Sequence, residues 1–288
     1  MAARVSHSTG LRALQRCAPN IAIRHLFEVA AVRAGARRCA RVVVPMTCLP
    51  QVTQALGALD LHSGRPSVWN AELRRDGDDR FCRRLPISAD TPPNATVSVM
   101  VAANWLDANV AQRVDDHGPA YECGEWLGYP SCCIAAYARI ENGMDWLRSI
   151  LEGIAGGELA LPWACNAIEA LFSQRSLHPD FFPCRLGCTH ARSVVQSMLQ
   201  AGVACGLDNE HAEGWHAMHG RVAVLDGAAV RLGTDGSAIT VVLRPGRDAR
   251  WRQVLGGLGH RIESMNGGLL LRTPRETLRL AGTLVDFR

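Results

Sequence analysis

Residues 95–114 read ATVSVMVAANWLDANVAQRV. The first nine are rich in β-branched and short apolar side chains, the pattern of a buried strand. Asn104 then offers a side-chain oxygen as a helix N-cap, and a helix is expected over 105–114. The stretch marks a change of character along the chain. It predicts an α+β protein with an N-terminal mixed α/β region (1–104), a mainly helical central region (105–219) and a small strand-rich or α/β C-terminal region (220–288).

Working back from this stretch, a helical run at 21–34 leads into a short apolar strand at 41–44. After Pro45 a second helix is expected over 51–59. Arg65, Pro66 and the polar RRDGDDR (74–80) mark turns. Asp76, Asp78 and Asp79 in the last of these read as a solvated loop, with a hard-cation site as the lesser alternative. Working forward, a helix over 117–127 should stop at Gly128, and Pro130 suits the first turn of the next, running through Cys132, Cys133, Ala135 and Tyr137. Further helices are expected at 144–154, 164–172 and 191–199, separated at 177–188 by an irregular Pro- and Gly-containing connection. Beyond residue 220, RVAVLDG, AAVRLGTDG and SAITVVLRPG read as antiparallel strands with Gly-containing turns. A helix at 248–258 and two returning strands, GGLLLRT and GTLVDFR, complete the expectation.

Composition excludes several classes. With 48% apolar and 20% charged residues over 288 positions, neither disorder nor a fibrous structure fits. All 31 basic residues are Arg, so a lysine Schiff base, a lysine general base and a lysine-dependent phosphate loop are out. The net charge of +4 permits an anionic partner without demanding one. Up to Arg41 the chain carries Arg at 4, 12, 16, 24, 33, 37, 38 and 41 against one acid, Glu28. A solvated basic helix face, an anionic-partner surface and an organellar presequence all remain open. No compact apolar segment follows Met1 and no run approaches a membrane span, so the expected location is cytoplasmic, an organellar matrix being the minor alternative. Eleven Cys, an odd number, then point to free or metal-bound thiols in a reducing compartment.

Two segments concentrate the chemistry: ECGEWLGYPSCC (122–133) and FPCRLGC (182–188). Each has a Pro close before its cysteines and an expected helix after them, and helix N-termini favour thiolate over thiol. Four converging thiolates repel one another unless a cation or cluster lies between them. Cys132, Cys133, Cys184 and Cys188 are therefore the expected ligands. Adjacent residues on a helix point about 100° apart, so Cys132 and Cys133 suit a cubane 4Fe-4S cluster, whose irons are spread through space. Zinc is the alternative, with disulfide chemistry and plain buried thiols behind it.

LGYPSCC followed by IAAY, together with the downstream FPCRLGC, resembles an uncharacterised prokaryotic family whose members carry a Leu-Gly-Tyr-Pro-x-Cys-Cys segment and a later Pro-Cys-x3-Cys segment. The resemblance covers roughly residues 117–200 and implies the same four cysteines, with no settled activity.

Other groups could act beside such a centre. On a helix over 117–127, His117, Tyr121 and Glu125 would form one stripe, with His117 or Glu125 moving protons and Tyr121 orienting a substrate; a plain surface pairing of His117 and Glu125 is the competing reading. Cys123 is a substitute ligand, and His190 a hydrogen-bond donor to a Cys sulfur. HAEGWHAMHG (211–220) places His211, Trp215 and His219 at helical spacing, with His216 and Glu213 nearby, as surface or interface groups or a second metal site. No Rossmann fingerprint, Walker A loop or Gly-x-Ser-x-Gly elbow is present, and the Arg-rich stretches lack interleaved aromatics. The expected function is an iron-sulfur protein, either an oxidoreductase or a biosynthetic enzyme, working with a redox partner protein or a small-molecule substrate. Against it stand a non-enzymatic zinc- or cluster-stapled interaction protein and a thiol-based metal handler.

Overall fold

The structure is a computed structural model that describes residues 2–17, 21–75, 79–139, 157–161, 177–179, 181, 183–225, 228–232, 238–243, 261–265, 268–272, 277–280 and 282–287. An N-terminal mixed α/β region precedes a largely helical middle region with scattered strands. In the former, α1 (Ala2–Cys17), α2 (Ile23–Arg33) and α3 (Leu49–Gly57) surround a sheet of β1 (Cys39–Pro45), β2 (His62–Ser63), β3 (Val68–Arg75), β4 (Asp79–Pro86) and β5 (Thr96–Ala102). At the end of the β3–β4 pairing Arg74 faces Arg80 and Arg75 faces Asp79.

The strand that opened the sequence reading is the centre of this sheet. β5 pairs antiparallel with β1 along its whole length, Cys39 facing Ala102 and Pro45 facing Thr96. Val97, Val99 and Val101 enter one core with Leu26 and Phe27 of α2 and Leu56 of α3. Met100 and Ala102 enter a second core with Ala108 and Ala111, from the helix that follows β5. Burial on both faces explains why the strand is nearly all apolar rather than alternating. Each such valine contributes about 1.5–3 kcal/mol relative to an exposed one.

The other edge of β5 is filled piecemeal. β3 meets it at Asn70 and Thr96, and β2 meets it at Ser63 and Val101. Between them the side chain of Gln112 takes the place of a strand: its Nε2 donates to the Ser98 carbonyl (3.0 Å) and its Oε1 accepts from the Met100 N–H (2.8 Å). Gly64 permits this, because a Cβ there would stand 2.4 Å from the Gln112 Cβ and 2.6 Å from the Ala108 carbonyl.

Gln112 belongs to α4 (Trp105–His117), capped as expected by the Asn104 side chain accepting from the Asp107 N–H at 2.8 Å. The expected continuous helix over 117–127 is not formed. α4 ends at His117, Gly118 is extended (φ −82, ψ 167), and α5 (Ala120–Trp126) begins after Pro119. Proline has no N–H to continue the ladder and disfavours helical backbone at the residue before it. Gly128 then takes the left-handed φ of +68 that closes α5, and α6 (Ser131–Tyr137) starts after Pro130. After the irregular connection, α7 (Thr189–Ala204) packs on α2 so closely that a Cβ on Gly202 would stand 2.1 Å from the Phe27 ring. α8 (Asp208–Met218) follows.

The middle region is not wholly helical. β6 (Gly157–Leu161) runs parallel to β13 (Gly282–Phe287), in a sheet of order β6-β13-β7-β8-β9 with β7 (Gly220–Leu225), β8 (Ala228–Leu232) and β9 (Ala238–Leu243). The expected antiparallel pairing of β7, β8 and β9 is present. A three-stranded sheet joins β10 (Arg261–Met265), β11 (Gly268–Arg272) and β12 (Thr277–Leu280). Because β6 joins the larger sheet, its strands are not confined to 220–288. The helices expected at 144–154, 164–172 and 248–258 lie outside the described residues. Among the described residues no helix is long and apolar enough to cross a membrane.

Candidate metal centre

Four cysteines from two separate segments converge. The Sγ atoms of Cys132, Cys133, Cys184 and Cys188 all lie within 4.8 Å of one another. Cys132 is 3.9 Å from Cys133 and 3.8 Å from Cys188, and Cys133 is 3.8 Å from Cys188. These separations far exceed a disulfide bond, and all four thiols are free. The group can coordinate a metal ion. Cys133 and Cys188 are buried, whereas Cys132 and Cys184 are half-buried.

Local backbone chemistry sets the sulfurs in place. Cys132 and Cys133 sit in the first turn of α6, and Cys188 is the N-cap of α7, its Sγ accepting from the Ala191 N–H at 3.5 Å. The Cys184 N–H donates to the Cys133 Sγ at 3.4 Å, stitching the two segments together. Burial pushes the Cys133 thiol up against the effect of that N–H. Burial, with Cys188 beside it, takes Cys184 up to about 11. At Cys188 burial acts the same way but is outweighed by the Ala191 N–H and the neighbouring thiols, so this one is lowered. The shared protons thus favour charge on Cys188 and disfavour it on Cys133 and Cys184.

The turn carrying Cys132 and Cys133 is anchored to the N-terminal core. Arg37 donates through Nε to the Leu127 carbonyl at 3.1 Å, and through Nη2 to the same oxygen. Its Nη1 donates to Glu28 at 2.9 Å, and Glu28 also meets His25 Nδ1 at 3.1 Å. The Arg37 and Glu28 side chains are 5% and 1% exposed, so this is a buried ion pair. Burial opposes the Arg37 charge, but Glu28 and Tyr129 together outweigh it and raise the guanidinium further. Its guanidinium carbon stands 5.4 Å from the Tyr129 ring centroid.

Beside the thiols lies a cavity of 530 Å³, whose walls include Cys133, Ile134, Tyr129 and Phe181 and, from α4, Asp115, Asp116 and His117. Of the expected His117, Tyr121 and Glu125 stripe, only His117 lines it. The break at Gly118 and Pro119 puts the other two on a different helix. Tyr121 is half-exposed and donates to Glu122 at 3.1 Å, which raises its phenol. Glu125 is exposed. His117 Nε2 lies 3.0 Å from the Ser67 hydroxyl, which gives its proton to Asp116 at 2.7 Å. The imidazole therefore acts as donor there, and Ser67 is not activated as a nucleophile.

Cys123 is not a ligand in this arrangement. Its thiol donates to Asp115 Oδ1 at 3.2 Å, and burial pushes it up to about 12. His190 stands as expected, its Nδ1 3.6 Å from the Cys132 Sγ. His211 stacks near Phe27, ring centroids 6.3 Å apart. Neither it nor His219 joins a metal-binding group among the described residues, and the side chains of 213–217 lie outside them, as do Asp76, Asp78 and the side chain of Asp79. Sequence reasoning missed Arg37, Arg41, Arg84, Asp115 and Tyr129. Their roles depend on contacts up to 92 positions apart, Arg37 with Tyr129 among them, which no local motif encodes.

Comparison with family models, with curated proteins and with solved structures finds no match.

Proposed function

We propose that the four thiolates of Cys132, Cys133, Cys184 and Cys188 hold one tetrahedral metal ion, zinc, which fixes α6 and α7 as walls of a small-molecule cavity. The observation that carries this is the sulfur spacing. A Zn–S bond of about 2.3 Å in tetrahedral geometry implies S···S edges of about 3.8 Å. The three pairs among Cys132, Cys133 and Cys188 stand at 3.8 to 3.9 Å. A cubane spreads its irons and would hold the thiolates farther apart. The angular divergence of adjacent helical cysteines speaks for a cluster, and the 3.9 Å approach of Cys132 to Cys133 supports a single ion instead. Four protein ligands leave no open position on the ion, so its role is to staple.

A 4Fe-4S electron-transfer centre is the second reading, favoured by the partial exposure of Cys132 and Cys184, which would give electrons a route to a redox partner. Anaerobic purification with iron, zinc and acid-labile sulfide measured on one sample decides between the two. One zinc without sulfide, lost in Cys133→Ala, is the expected result. About four iron and four sulfide per chain would replace zinc with the cluster. No metal after anaerobic reconstitution would overturn both.

A further inference from the structure

One end of the cavity is polar, lined by Arg41, Arg84, Asp115, Asp116 and His117. Hydrogen-bonding capacity is spent unevenly there. The Asp115 side chain is 1% exposed, covered by its own partners: Oδ1 accepts from Arg84 Nη2 at 3.1 Å, from Arg41 Nη1 at 3.4 Å and from the Cys123 thiol at 3.2 Å. Asp116 is satisfied by uncharged donors, its Oδ2 by the Ser67 N–H at 2.8 Å and the Ser67 hydroxyl at 2.7 Å, its Oδ1 by Gln112 Nε2 at 2.9 Å. The two guanidiniums over Asp115 keep accessible surface, the Arg84 side chain being 32% exposed and that of Arg41 23%. Arg84 donates to Asp115 from Nη2 and has no other hydrogen-bond partner among the described residues, which leaves its other N–H donors unspent. A molecule entering this end therefore meets donors, because the acids already have theirs.

Charge narrows what the acceptor is. Arg41 and Arg84 share a single carboxylate, Asp115, and keep a net positive charge between them. Asp116 opposes it, so a singly charged anion is the most this end accommodates. The planar fork of a guanidinium matches the two oxygens of a carboxylate. The rest of the molecule meets apolar surface. Ile134 and Tyr137, three apart on one face of α6, and Tyr129 line the cavity and all keep accessible surface, Tyr137 being 37% exposed. Phe181 backs Tyr129, ring centroids 4.7 Å apart. The volume of 530 Å³ is in the range that encloses a small organic ligand.

We propose that this cavity binds a hydrophobic monocarboxylate, its carboxylate accepting from Arg84 and its apolar body lying against Tyr129, Ile134 and Tyr137. This names a ligand class for the cavity of the proposed function, and rests on that reading only for the α6 wall.

The test titrates the full chain, its zinc content measured, by calorimetry with 3-phenylpropionate and with octanoate. Two controls separate head from body: 3-phenylpropylamine has the same body and the opposite charge, and acetate has the head without a body. At least one of the two hydrophobic carboxylates is expected to bind, with the amine and acetate weaker by about tenfold or more. Arg84→Gln removes the fork and should weaken binding by about tenfold or more; Asp115 keeps Arg41 and Cys123 in this variant, so its circular dichroism spectrum should be unchanged. A second variant guards against a folding defect: Ala120 is exposed and lines the cavity, and Ala120→Trp should obstruct it. Failure of both carboxylates to bind, equal or tighter binding of the amine or of acetate, or binding undiminished in both variants would each overturn the proposal. A zinc-loaded chain that binds neither carboxylate would sink this inference and leave the metal assignment intact, whereas a chain without zinc that binds one would do the reverse.

Discussion

The backbone N–H of Cys184 donates to the sulfur of Cys133 across 3.4 Å, joining two segments 51 residues apart in sequence. Cys133→Ala removes a ligand and also leaves this N–H without its acceptor, whereas Cys132→Ala removes a ligand from a half-buried position. Both variants should lose the metal, with the larger drop in melting temperature in Cys133→Ala. A chelator should lower the melting temperature of the natural chain and leave both variants unchanged; equal effects on all three chains would argue against a bound metal.

Glu28 is the only acid among the first 41 residues, and it neutralises Arg37 deep in the protein. Breaking a buried pair from one side leaves an uncompensated charge, which costs about 3–5 kcal/mol. Urea unfolding of Glu28→Gln should show a loss of that size. Because Arg37 also holds the Leu127 carbonyl, metal affinity should fall as well.

Gln112 completes a sheet with its side chain. Gln112→Ala orphans the Ser98 carbonyl and the Met100 N–H, at about 1–3 kcal/mol for each. Gly64→Ala should be destabilising for the steric reason, since its Cβ would meet the Gln112 Cβ at 2.4 Å. Gln112→Ala keeps that Cβ and leaves the Ala108 carbonyl 2.6 Å away, so the Gly64→Ala loss in urea unfolding should be the same with and without Gln112→Ala. A smaller Gly64→Ala loss in the Gln112→Ala background would place the clash on the Gln112 amide instead.

Alkaline pH should destabilise the fold through Cys39 and Cys123. Burial is the main reason both thiols are pushed from the ordinary 9.0 to about 12. Below the unfolded value both states are protonated and the favourable contribution is intact. Above it the unfolded chain releases protons that the folded chain retains, so stability is lost progressively from pH 9 toward 12. Urea midpoints should fall between about pH 8 and about pH 10.5, and the slope should flatten in Cys39→Ala/Cys123→Ala. An unchanged slope would assign the alkaline limb to other groups.

His190 touches Cys132 and no other thiol among the described contacts. An outer hydrogen bond of this kind tunes affinity by about 10–100-fold. His190→Ala should weaken metal binding by that factor in a competition titration, with partial recovery in His190→Gln. A direct ligand would instead lose the metal outright.

How much of this was legible in the residues follows the range of the interaction concerned. The β5 strand, the Asn104 cap and the Gly128 stop were readable because each depends on neighbours within a few positions. The four cysteines were readable because thiolates in two Pro-flanked segments have few other uses. The spacing of His117, Tyr121 and Glu125 predicts one helical stripe, but Pro119 lies inside it and its missing N–H breaks the helix there. Asp115 could not have been found in this way. Its meaning comes from Arg41 and Arg84, brought to it by a sheet whose pairing no local pattern reveals.

The pairing of β6 with β13 has a bearing on how the protein is made. The four sulfurs are all present once residue 188 has been synthesised, but β6 has no parallel neighbour until 282–287 emerge. At about 5–20 residues per second the intervening 94 residues take about 5–20 s. During that interval the thiols can capture an ion while an unpaired strand edge, 23 positions upstream of Cys184, waits on the nascent chain. A slow ribosome would lengthen the exposure of that edge, making translation speed between residues 188 and 287 a determinant of yield.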